Sequence, residues 1–264
     1  MPLMLDYLGI FPSEYVKPRT VDVWLPPGYQ KNGTSRYPVI YMHDGQFVFW
    51  PINRFAGWGM RETMTDLIRC GKIPEVIVVG IWNTENRWLE YAPCKPVEMF
   101  FNEETKKNLI ASGYYPDGDN YLKFIVNELK PFIDANYPVF PDCENTFLMG
   151  SSMGAIISLY GVCEYPDIFK GSGCLSTHWP LYNGVMIDYM EEYLPIGHNK
   201  KFYFDLGSES IDQEYTLFQE KADLVMRGQG YQENIDWITG KFDGDHSAAS
   251  WGKRVHIPLE FLLN

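Results

Sequence analysis

Short apolar runs alternate along the chain with longer segments in which apolar residues recur at helical spacing. The short runs predict buried strands. They occupy residues 21–25, 38–42, 76–81, 146–149, 173–175, 201–206 and 235–239. The longer segments predict helices at residues 120–135, 153–164, 212–227 and 247–263. Pro131 lies inside the first of these helices and should kink it or end its regular part, because proline has no backbone N–H.

Strands that alternate with helices predict an α/β fold: a mostly parallel central sheet with helices on both faces and right-handed connections. The chain has 264 residues and contains no repeat or linker that would divide it. We therefore expect a single α/β domain over residues 1–264. In sheets of this class the active site lies beyond the carboxyl ends of the strands. The loops that follow strands are the places to search for functional residues.

One such loop contains a serine between glycines. Gly150-Ser151-Ser152-Met153-Gly154 matches the pattern G-x-S-x-G and separates a predicted strand from a predicted helix. This is the nucleophile-elbow arrangement of α/β-hydrolases, in which a tight strand-to-helix turn exposes a serine hydroxyl. Ser152 is the predicted nucleophile, because Ser151 lacks the two flanking glycines. The alternative interpretation is a Gly/Ser turn that caps a buried helix and has no chemical role.

A serine nucleophile in this fold needs a histidine base that follows it in the chain. His198, His246 and His256 follow Ser152 at a useful distance. His246 lies in the polar turn 243–247, between the last predicted strand and the last predicted helix, and is the predicted base. His198 precedes a strand, which puts it at the wrong edge of the sheet. His256 falls inside an apolar helical run.

The acid that completes such a triad should follow the strand that ends near Gly207. Asp212 and Glu209 are the candidates in that loop, and Asp212 is placed ahead of Glu209. Asp205 lies inside the strand, too early to reach the site easily. Asp212 also has an alternative role as an acid in the first turn of the following helix, where it would interact with the helix dipole.

The turn Tyr41-Met42-His43-Asp44-Gly45-Gln46 follows the strand at residues 38–42, where this fold places one donor of its oxyanion hole. The backbone N–H groups of Gln46 and Met153 are the predicted donors. His43 precedes the acid and has no metal-ligand partner at helical spacing. We interpret it as a residue that supports the site without contacting substrate. No metal site and no cofactor are expected.

Composition limits the classes of partner. The net charge of −12 and the pI near 4.9 argue against nucleic acid and against acidic membrane surfaces as partners. Aromatic residues make up 16% of the chain, which fits either an aromatic core or a pocket for aryl groups and sugar rings. The five cysteines include no CxxC pair and favour a reducing compartment. A cytoplasmic protein is expected, although a mature secreted chain would read similarly, and homo-oligomerisation stays open.

Seven segments carry a wider resemblance. They are Met42-His43-Asp44-Gly45-Gln46, Gly80-Ile81 with Arg87 and Glu90-Tyr91, Asp119 with Tyr121-Leu122, Gly150-Ser151-Ser152-Met153-Gly154, Ser176-Thr177-His178-Trp179, Tyr203-Phe204-Asp205-Leu206-Gly207 with Ile211-Asp212 and Tyr215, and His246 with Trp251. Together these segments resemble the Putative esterase family of α/β-hydrolases, which includes esterase D, feruloyl and acetylxylan esterases, enterochelin esterases and mycobacterial mycolyltransferases. They span most of the chain in the family's order.

The resemblance implies the α/β-hydrolase fold, a Ser–acid–His triad without a cofactor, and a substrate pocket lined by His178 and Trp179. A buried tryptophan beside a hydrogen-bonded histidine is the alternative for that pair. We expect a serine carboxylic ester hydrolase that forms an acyl-enzyme with acetyl or feruloyl esters of a sugar or small alcohol, so that the partner is a small-molecule or glycan ester. An acyltransferase with the same triad and a non-catalytic ligand-binding protein of this fold are the alternatives.

Overall fold

The computed structural model describes residues 5–52, 57–195 and 199–264. Within these residues eight strands form one sheet: β1 Leu5–Phe11, β2 Arg19–Trp24, β3 Val39–His43, β4 Ile77–Ile81, β5 Thr146–Ser151, β6 Gly171–Leu175, β7 Lys201–Gly207 and β8 Trp237–Phe242. Their order across the sheet is β1-β2-β4-β3-β5-β6-β7-β8. β3 to β8 run parallel, whereas β1 and β2 are antiparallel to their neighbours. The predicted fold class, a mostly parallel α/β sheet, is confirmed.

Twelve α-helices accompany the strands in the described part of the chain. They are α1 Gly45–Val48, α2 Met60–Arg69, α3 Arg87–Glu90, α4 Cys94–Phe100, α5 Glu103–Ser112, α6 Gly118–Phe124, α7 Lys130–Asn136, α8 Met153–Glu164, α9 Val185–Tyr193, α10 Thr216–Gly228, α11 Ala248–Arg254 and α12 His256–Leu263. None of these helices has the length and apolar character needed to cross a bilayer.

Helices cover both faces of the sheet. Successive residues of a strand point to opposite sides, so alternate residues pack against the helices of one face or of the other. In β3, Tyr41 packs in one buried cluster together with side chains of α6, α8, α9 and α10. The next residue, Met42, packs in a second cluster with side chains of α1, α2, α11 and α12. All five residues of β3 are buried, which explains why the strand reads as a continuous apolar run.

The strands predicted from apolar runs are all present with adjusted ends, and the largest shift is in the last. Residues 235–239 were the expected strand, but β8 begins at Trp237 because Ile235 is exposed in a turn. β1 was not predicted. It is an edge strand whose residues are all at least partly exposed, so it has no buried apolar run that a sequence pattern could reveal.

Three predicted helices are interrupted in the structure. The helix expected at residues 120–135 contains a π-helical segment, Ile125–Leu129, between α6 and α7, next to Pro131. The helix expected at 247–263 is divided at Val255, since Pro258 has no N–H to continue the ladder. The helix expected at 212–227 starts as a 3₁₀ segment, Ser210–Tyr215, and becomes α10 only afterwards.

A buried ion pair fixes α3 against the sheet. Arg19 of β2 donates hydrogen bonds of 2.9 and 2.7 Å to the two carboxylate oxygens of Glu90 in α3. Both side chains are almost completely buried. α3 also carries Arg87 and Trp88, which border the carboxyl ends of the strands, so this pair holds two side chains in place at that edge of the sheet.

We expect Glu90→Ala to lower the free energy of unfolding by about 3–5 kcal/mol, because Arg19 would remain buried without its carboxylate partner. Chemical denaturation followed by circular dichroism measures the change. Glu85→Ala is the matched control, since Glu85 pairs with Lys17 at an exposed site, and it should leave the midpoint unchanged. Equal losses in the two variants would contradict the role given to the buried pair.

Candidate active site

Four adjacent strands of the sheet each lead into one polar residue of the candidate site. Ser152 follows β5, Ser176 follows β6, Asp212 lies beyond β7 and His246 lies beyond β8. Because these strands are parallel neighbours, their carboxyl ends meet at one edge of the sheet. The side chains therefore come from loops far apart in sequence but adjacent in space.

Ser152 occupies a strained turn between β5 and α8. Its backbone has φ 56° and ψ −121°, a conformation that costs free energy for any residue with a side chain. The turn is tight enough that a Cβ at Gly150 would lie 2.8 Å from the carbonyl carbon of Gly154. Ser152 is partly exposed, whereas Ser151 is buried within β5. The geometry is that of a nucleophile elbow, with Ser152 at its exposed position.

His246 and Asp212 are hydrogen-bonded to each other. The distance between His246 Nδ1 and Asp212 Oδ1 is 2.5 Å, and the Asp212 side chain is completely buried. The other carboxylate oxygen, Oδ2, accepts hydrogen bonds of 2.6 Å from Ser176 Oγ and from the backbone N–H of Gly207. Burial raises the pKa of Asp212, but these hydrogen bonds outweigh burial and hold its pKa below the ordinary value of 3.8. Asp212 is therefore ionised at neutral pH.

The other candidate acids and bases lie elsewhere. Glu209 is exposed, and its backbone N–H bonds to Gly244 O, so the alternative in which Glu209 pairs with His246 is wrong. The reason is the turn at residue 210, after which the 3₁₀ segment brings Asp212 inward. Asp205 is buried within β7 and bonded to Arg254. His256 is exposed at the start of α12, and His198 lies outside the described residues.

Aromatic rings extend from His246 toward solvent. The ring of His246 contacts Tyr215 at 5.8 Å and Trp251 at 5.0 Å between centroids, both nearly perpendicular. Tyr215 in turn contacts His178 at 5.8 Å, and His178 contacts Trp88 at 5.6 Å. We call these five residues the aromatic row. Trp88, at its outer end, is 43% exposed and therefore accessible to a bound molecule.

His178 and Trp179 were expected to line a pocket together, and the structure separates them. His178 is partly buried in the aromatic row, with its Nδ1 2.6 Å from Tyr215 Oη. Burial, together with nearby His246 and Arg87, lowers the pKa of His178 to about 4. Trp179 is buried, with its Nε1–H donated to Gln219 Oε1 at 2.8 Å. Trp179 belongs to the core and has no access to a pocket, so that part of the expectation is wrong.

The two predicted oxyanion donors lie at the starts of helices. Met153 is the first residue of α8 and Gln46 is the second residue of α1. A backbone N–H in the first turn has no partner inside its own helix, so both groups can donate to a ligand. The side chain of Gln46 is held in place because its Oε1 accepts a 3.2 Å hydrogen bond from the N–H of Asn83.

The loop that carries Gln46 is fixed by Asp44 and Gly45. Asp44 adopts a left-handed conformation with φ 58°, and its carboxylate accepts two hydrogen bonds of 2.7 Å from Arg87. α1 packs so closely on β4 that a Cβ at Gly45 would lie 2.5 Å from the carbonyl carbon of Gly80. The position of the predicted donor therefore depends on a glycine that leaves room for the backbone.

His43 supports the elbow from below. It is buried, its Nδ1 lies 2.8 Å from Tyr121 Oη, and a Cβ at Gly150 would come within 3.0 Å of its ring. Burial lowers the pKa of His43 to about 3, so the ring is neutral at neutral pH. His43 therefore packs against the glycines of the turn that carries Ser152, and its role in supporting the site stays a prediction.

Sequence reasoning assigned no role to Ser176, Arg254 or Trp88. Ser176 and Trp88 follow strands, so a search of the loops after strands could have identified them as candidate site residues. Arg254 lies in the last turn of α11, where a basic residue has an ordinary role at a helix end. Only the structure shows that Arg254 reaches the hydroxyl of Ser176, at 2.8 Å.

No group of three or more His, Cys, Asp or Glu residues in the described part of the chain is arranged to hold a metal ion.

A cavity of about 690 Å³ lies at the opposite edge of the sheet, where Pro38, Phe147 and Lys201 line it near the starts of β3, β5 and β7. Its lining is remote from the aromatic row. This cavity is therefore separate from Ser152, Asp212 and His246, which lie beyond the carboxyl ends of the strands.

The sequence of the chain is similar to those of several known proteins. The family model described as Putative esterase matches residues 13–256. Uncharacterized protein YbbA of Bacillus subtilis is 24% identical to the chain over 250 residues, which is 92% of each protein. The endo-1,4-beta-xylanase/feruloyl esterase of Xylanibacter ruminicola is 31% identical over 172 residues, which is 62% of this chain and 20% of that protein.

The fold is shared with solved esterases. The enterochelin esterase from Shigella flexneri superposes with a TM-score of 0.71 at 17% sequence identity, over 99% of this chain and 58% of that one. At this level of identity the likeness concerns the fold. It confirms the α/β-hydrolase architecture expected from the elbow and the alternation of strands and helices.

The buried neutral ring of His43 predicts a pH-dependent stability. Its pKa is about 3 in the folded protein and near 6.5 when exposed, so the unfolded chain binds the additional proton as the pH falls below 6.5. This group should lower the free energy of unfolding by about 1.4 kcal/mol per pH unit between pH 6.5 and about 3. Denaturant titrations of the wild type and His43→Phe across this window measure the difference. Parallel pH profiles for the two proteins would refute the assignment.

Proposed function

The chain belongs to the Putative esterase family and is a carboxylic ester hydrolase, and we propose that it cleaves its ester through an acyl-enzyme on Ser152. In this proposal His246 is the general base and acid, and Asp212 completes the triad. The backbone N–H groups of Gln46 and Met153 form the oxyanion hole. The substrate proposed is an acetyl or feruloyl ester of a sugar or small alcohol.

One observation carries the mechanism. His246 Nδ1 and Asp212 Oδ1 are 2.5 Å apart, at the edge of the sheet where Ser152 forms the strained turn. An ionised acceptor at Oδ1 favours the neutral tautomer of His246 with the proton on Nδ1. Nε2 then has a free lone pair and can accept the proton of a serine hydroxyl. A base, an orienting acid and an exposed serine are the parts that nucleophilic catalysis requires.

The chemical steps follow from these positions. Ser152 Oγ attacks the ester carbonyl while His246 removes its proton, and Asp212 stabilises the imidazolium that forms. His246 then gives the proton to the leaving alcohol, which departs and leaves the acyl group on Ser152. In the second half His246 takes a proton from water while the water oxygen attacks the acyl carbon. The bond from that carbon to Ser152 Oγ then breaks, His246 returns the proton to Oγ, and the acid is released. Donors at Gln46 and Met153 would each stabilise the oxyanion by about 3–4 kcal/mol.

The aromatic row supports the choice of substrate. Trp88 presents an exposed ring at the outer end of a path of rings that reaches His246. Such a surface binds flat aryl groups and the apolar faces of sugars. A matched relative carries feruloyl esterase in its name. The net charge of −12 disfavours a polyanionic ester.

We expect Ser152→Ala to abolish turnover of p-nitrophenyl acetate, with a loss in kcat of roughly 10⁴-fold or more, because no other group would supply the nucleophile. Ser151→Ala is the matched control, since Ser151 is the adjacent serine but is buried in β5, and it should keep most of the activity. A fluorophosphonate should label the wild type once, at Ser152. Full activity in a folded Ser152→Ala protein would end the acyl-enzyme proposal.

The substrate class is tested by comparing two esters on two variants. Trp88→Ala should lower kcat/KM for methyl ferulate by about 10-fold and leave p-nitrophenyl acetate nearly unchanged, because only the larger acyl group reaches the outer ring. Phe140→Ala removes an aromatic side chain of similar exposure near the start of β3 and should affect neither ester. Equal losses on both esters in Trp88→Ala would argue against an aryl subsite.

A further inference from the structure

Ser176 lies between the proposed triad acid and a buried cation, and nothing in the acyl-enzyme mechanism uses it. Its Oγ is 2.6 Å from Asp212 Oδ2, 2.9 Å from Trp251 Nε1 and 2.8 Å from Arg254 Nη2. The side chain is completely buried, so water does not compete for these bonds. We propose that Ser176 is a positioning residue that orients Asp212, and that Trp251 and Arg254 fix the direction of its hydroxyl proton. The inference rests on the proposed serine mechanism.

The direction of the hydroxyl proton follows from the chemistry of its partners. A serine hydroxyl has one proton to donate and two lone pairs to accept with. The indole N–H of Trp251 and the guanidinium of Arg254 can only donate, so they occupy both lone pairs. The proton of Ser176 must then point to its third partner, Asp212 Oδ2. In most serines the hydroxyl can rotate, but here a single orientation satisfies all three bonds.

A fixed donor at Oδ2 determines which atom holds the proton between Asp212 and His246. Oδ2 accepts hydrogen bonds from both the hydroxyl of Ser176 and the N–H of Gly207, so it is held as an acceptor. The remaining oxygen, Oδ1, faces His246 Nδ1 as an ionised acceptor. The proton between them therefore stays on His246, and the lone pair at Nε2 stays available to Ser152. Arg254 thus influences the tautomer of His246 through the hydroxyl of Ser176 and the carboxylate of Asp212.

Asp205 holds Arg254 in the orientation that this arrangement needs. Its carboxylate accepts bonds from Arg254 Nε at 2.9 Å and Nη2 at 3.0 Å. The same carboxylate accepts the backbone N–H of Ser176 at 2.8 Å and the hydroxyl of Tyr203 at 2.8 Å. Asp205 therefore fixes both the donor and the backbone of Ser176. The two carboxylates therefore have different roles: Asp212, beyond β7, belongs to the proposed triad, and Asp205, within β7, holds the residues that support it.

A backbone effect at residue 176 has to be separated from the effect of the hydroxyl. Ser176 has φ 43°, a left-handed conformation that glycine adopts more readily than other residues. If the site needed only this turn, Ser176→Gly would be harmless and Ser176→Ala mildly unfavourable. If the hydroxyl matters, both variants lose it and both should be impaired to a similar degree.

The test combines kinetics with proton NMR. The proton in the short hydrogen bond between His246 and Asp212 should give a resonance far downfield, which Asp212→Asn removes. We expect Ser176→Ala and Ser176→Gly to shift or broaden this resonance and to lower kcat roughly 10-fold to 150-fold with KM unchanged, because one hydrogen bond to an ionised group is lost. Ser172→Ala is the matched control, since Ser172 is a buried serine of β6 that contacts Cys174 and not the triad. It should leave both the resonance and kcat unchanged.

Trp251→Phe is a second variant, which keeps a ring beside His246 but removes one donor to Ser176. It should lower kcat roughly 2-fold to 10-fold and move the same resonance, and it decides the question if the Ser176 variants do not fold. Wild-type kcat and resonance in both Ser176 variants, or impairment of Ser176→Ala alone, would overturn the proposal. Activity that survives in Ser152→Ala would instead refute the serine mechanism, while the resonance would still report whether Ser176 orients Asp212.

Discussion

A completely buried carboxylate at residue 212 imposes the main constraint on this structure. An ionised group that is removed from water must be compensated by hydrogen bonds or charge, or it takes up a proton. Asp212 is compensated by three donors: the ring of His246, the hydroxyl of Ser176 and the backbone of Gly207. Each donor comes from a different part of the chain. The parallel alignment of β6, β7 and β8 brings them to one point.

Ser152, the proposed nucleophile, has the opposite requirement, because a substrate must be able to reach it. Ser152 is presented to solvent by a strained backbone turn, whereas Asp212 is buried. Ser152 has a positive φ, and the turn is closed by glycines that allow α8 to begin immediately after β5. His43 packs beneath the turn in a neutral form, so no charge competes with the site above it. Rigid packing below and access above are what an attacking hydroxyl needs.

Two ion pairs hold the elements around the site, one fully buried and one partly exposed. Arg19 and Glu90 fix α3 to β2 in the interior, and Arg87 clamps Asp44 in the loop that carries Gln46. Both pairs end on α3, which also presents Trp88 to solvent. The same short helix therefore connects the proposed oxyanion loop with the outer ring of the proposed substrate surface.

The sequence by itself determined the fold class and predicted two of the three proposed triad positions, Ser152 and His246, because these depend on local patterns. Buried parallel strands are continuous apolar runs, and the elbow needs glycines at fixed distances from Ser152. His246 could be selected because only its turn follows the last strand. Only the tertiary structure distinguishes Asp212 from Glu209 as the partner of His246, because both lie in one loop and the turn at Ser210 leaves Glu209 exposed and Asp212 buried. Ser176, Arg254 and the buried position of Trp179 were likewise beyond sequence reasoning, because hydrogen bonds and packing between residues up to 78 positions apart leave no local signal.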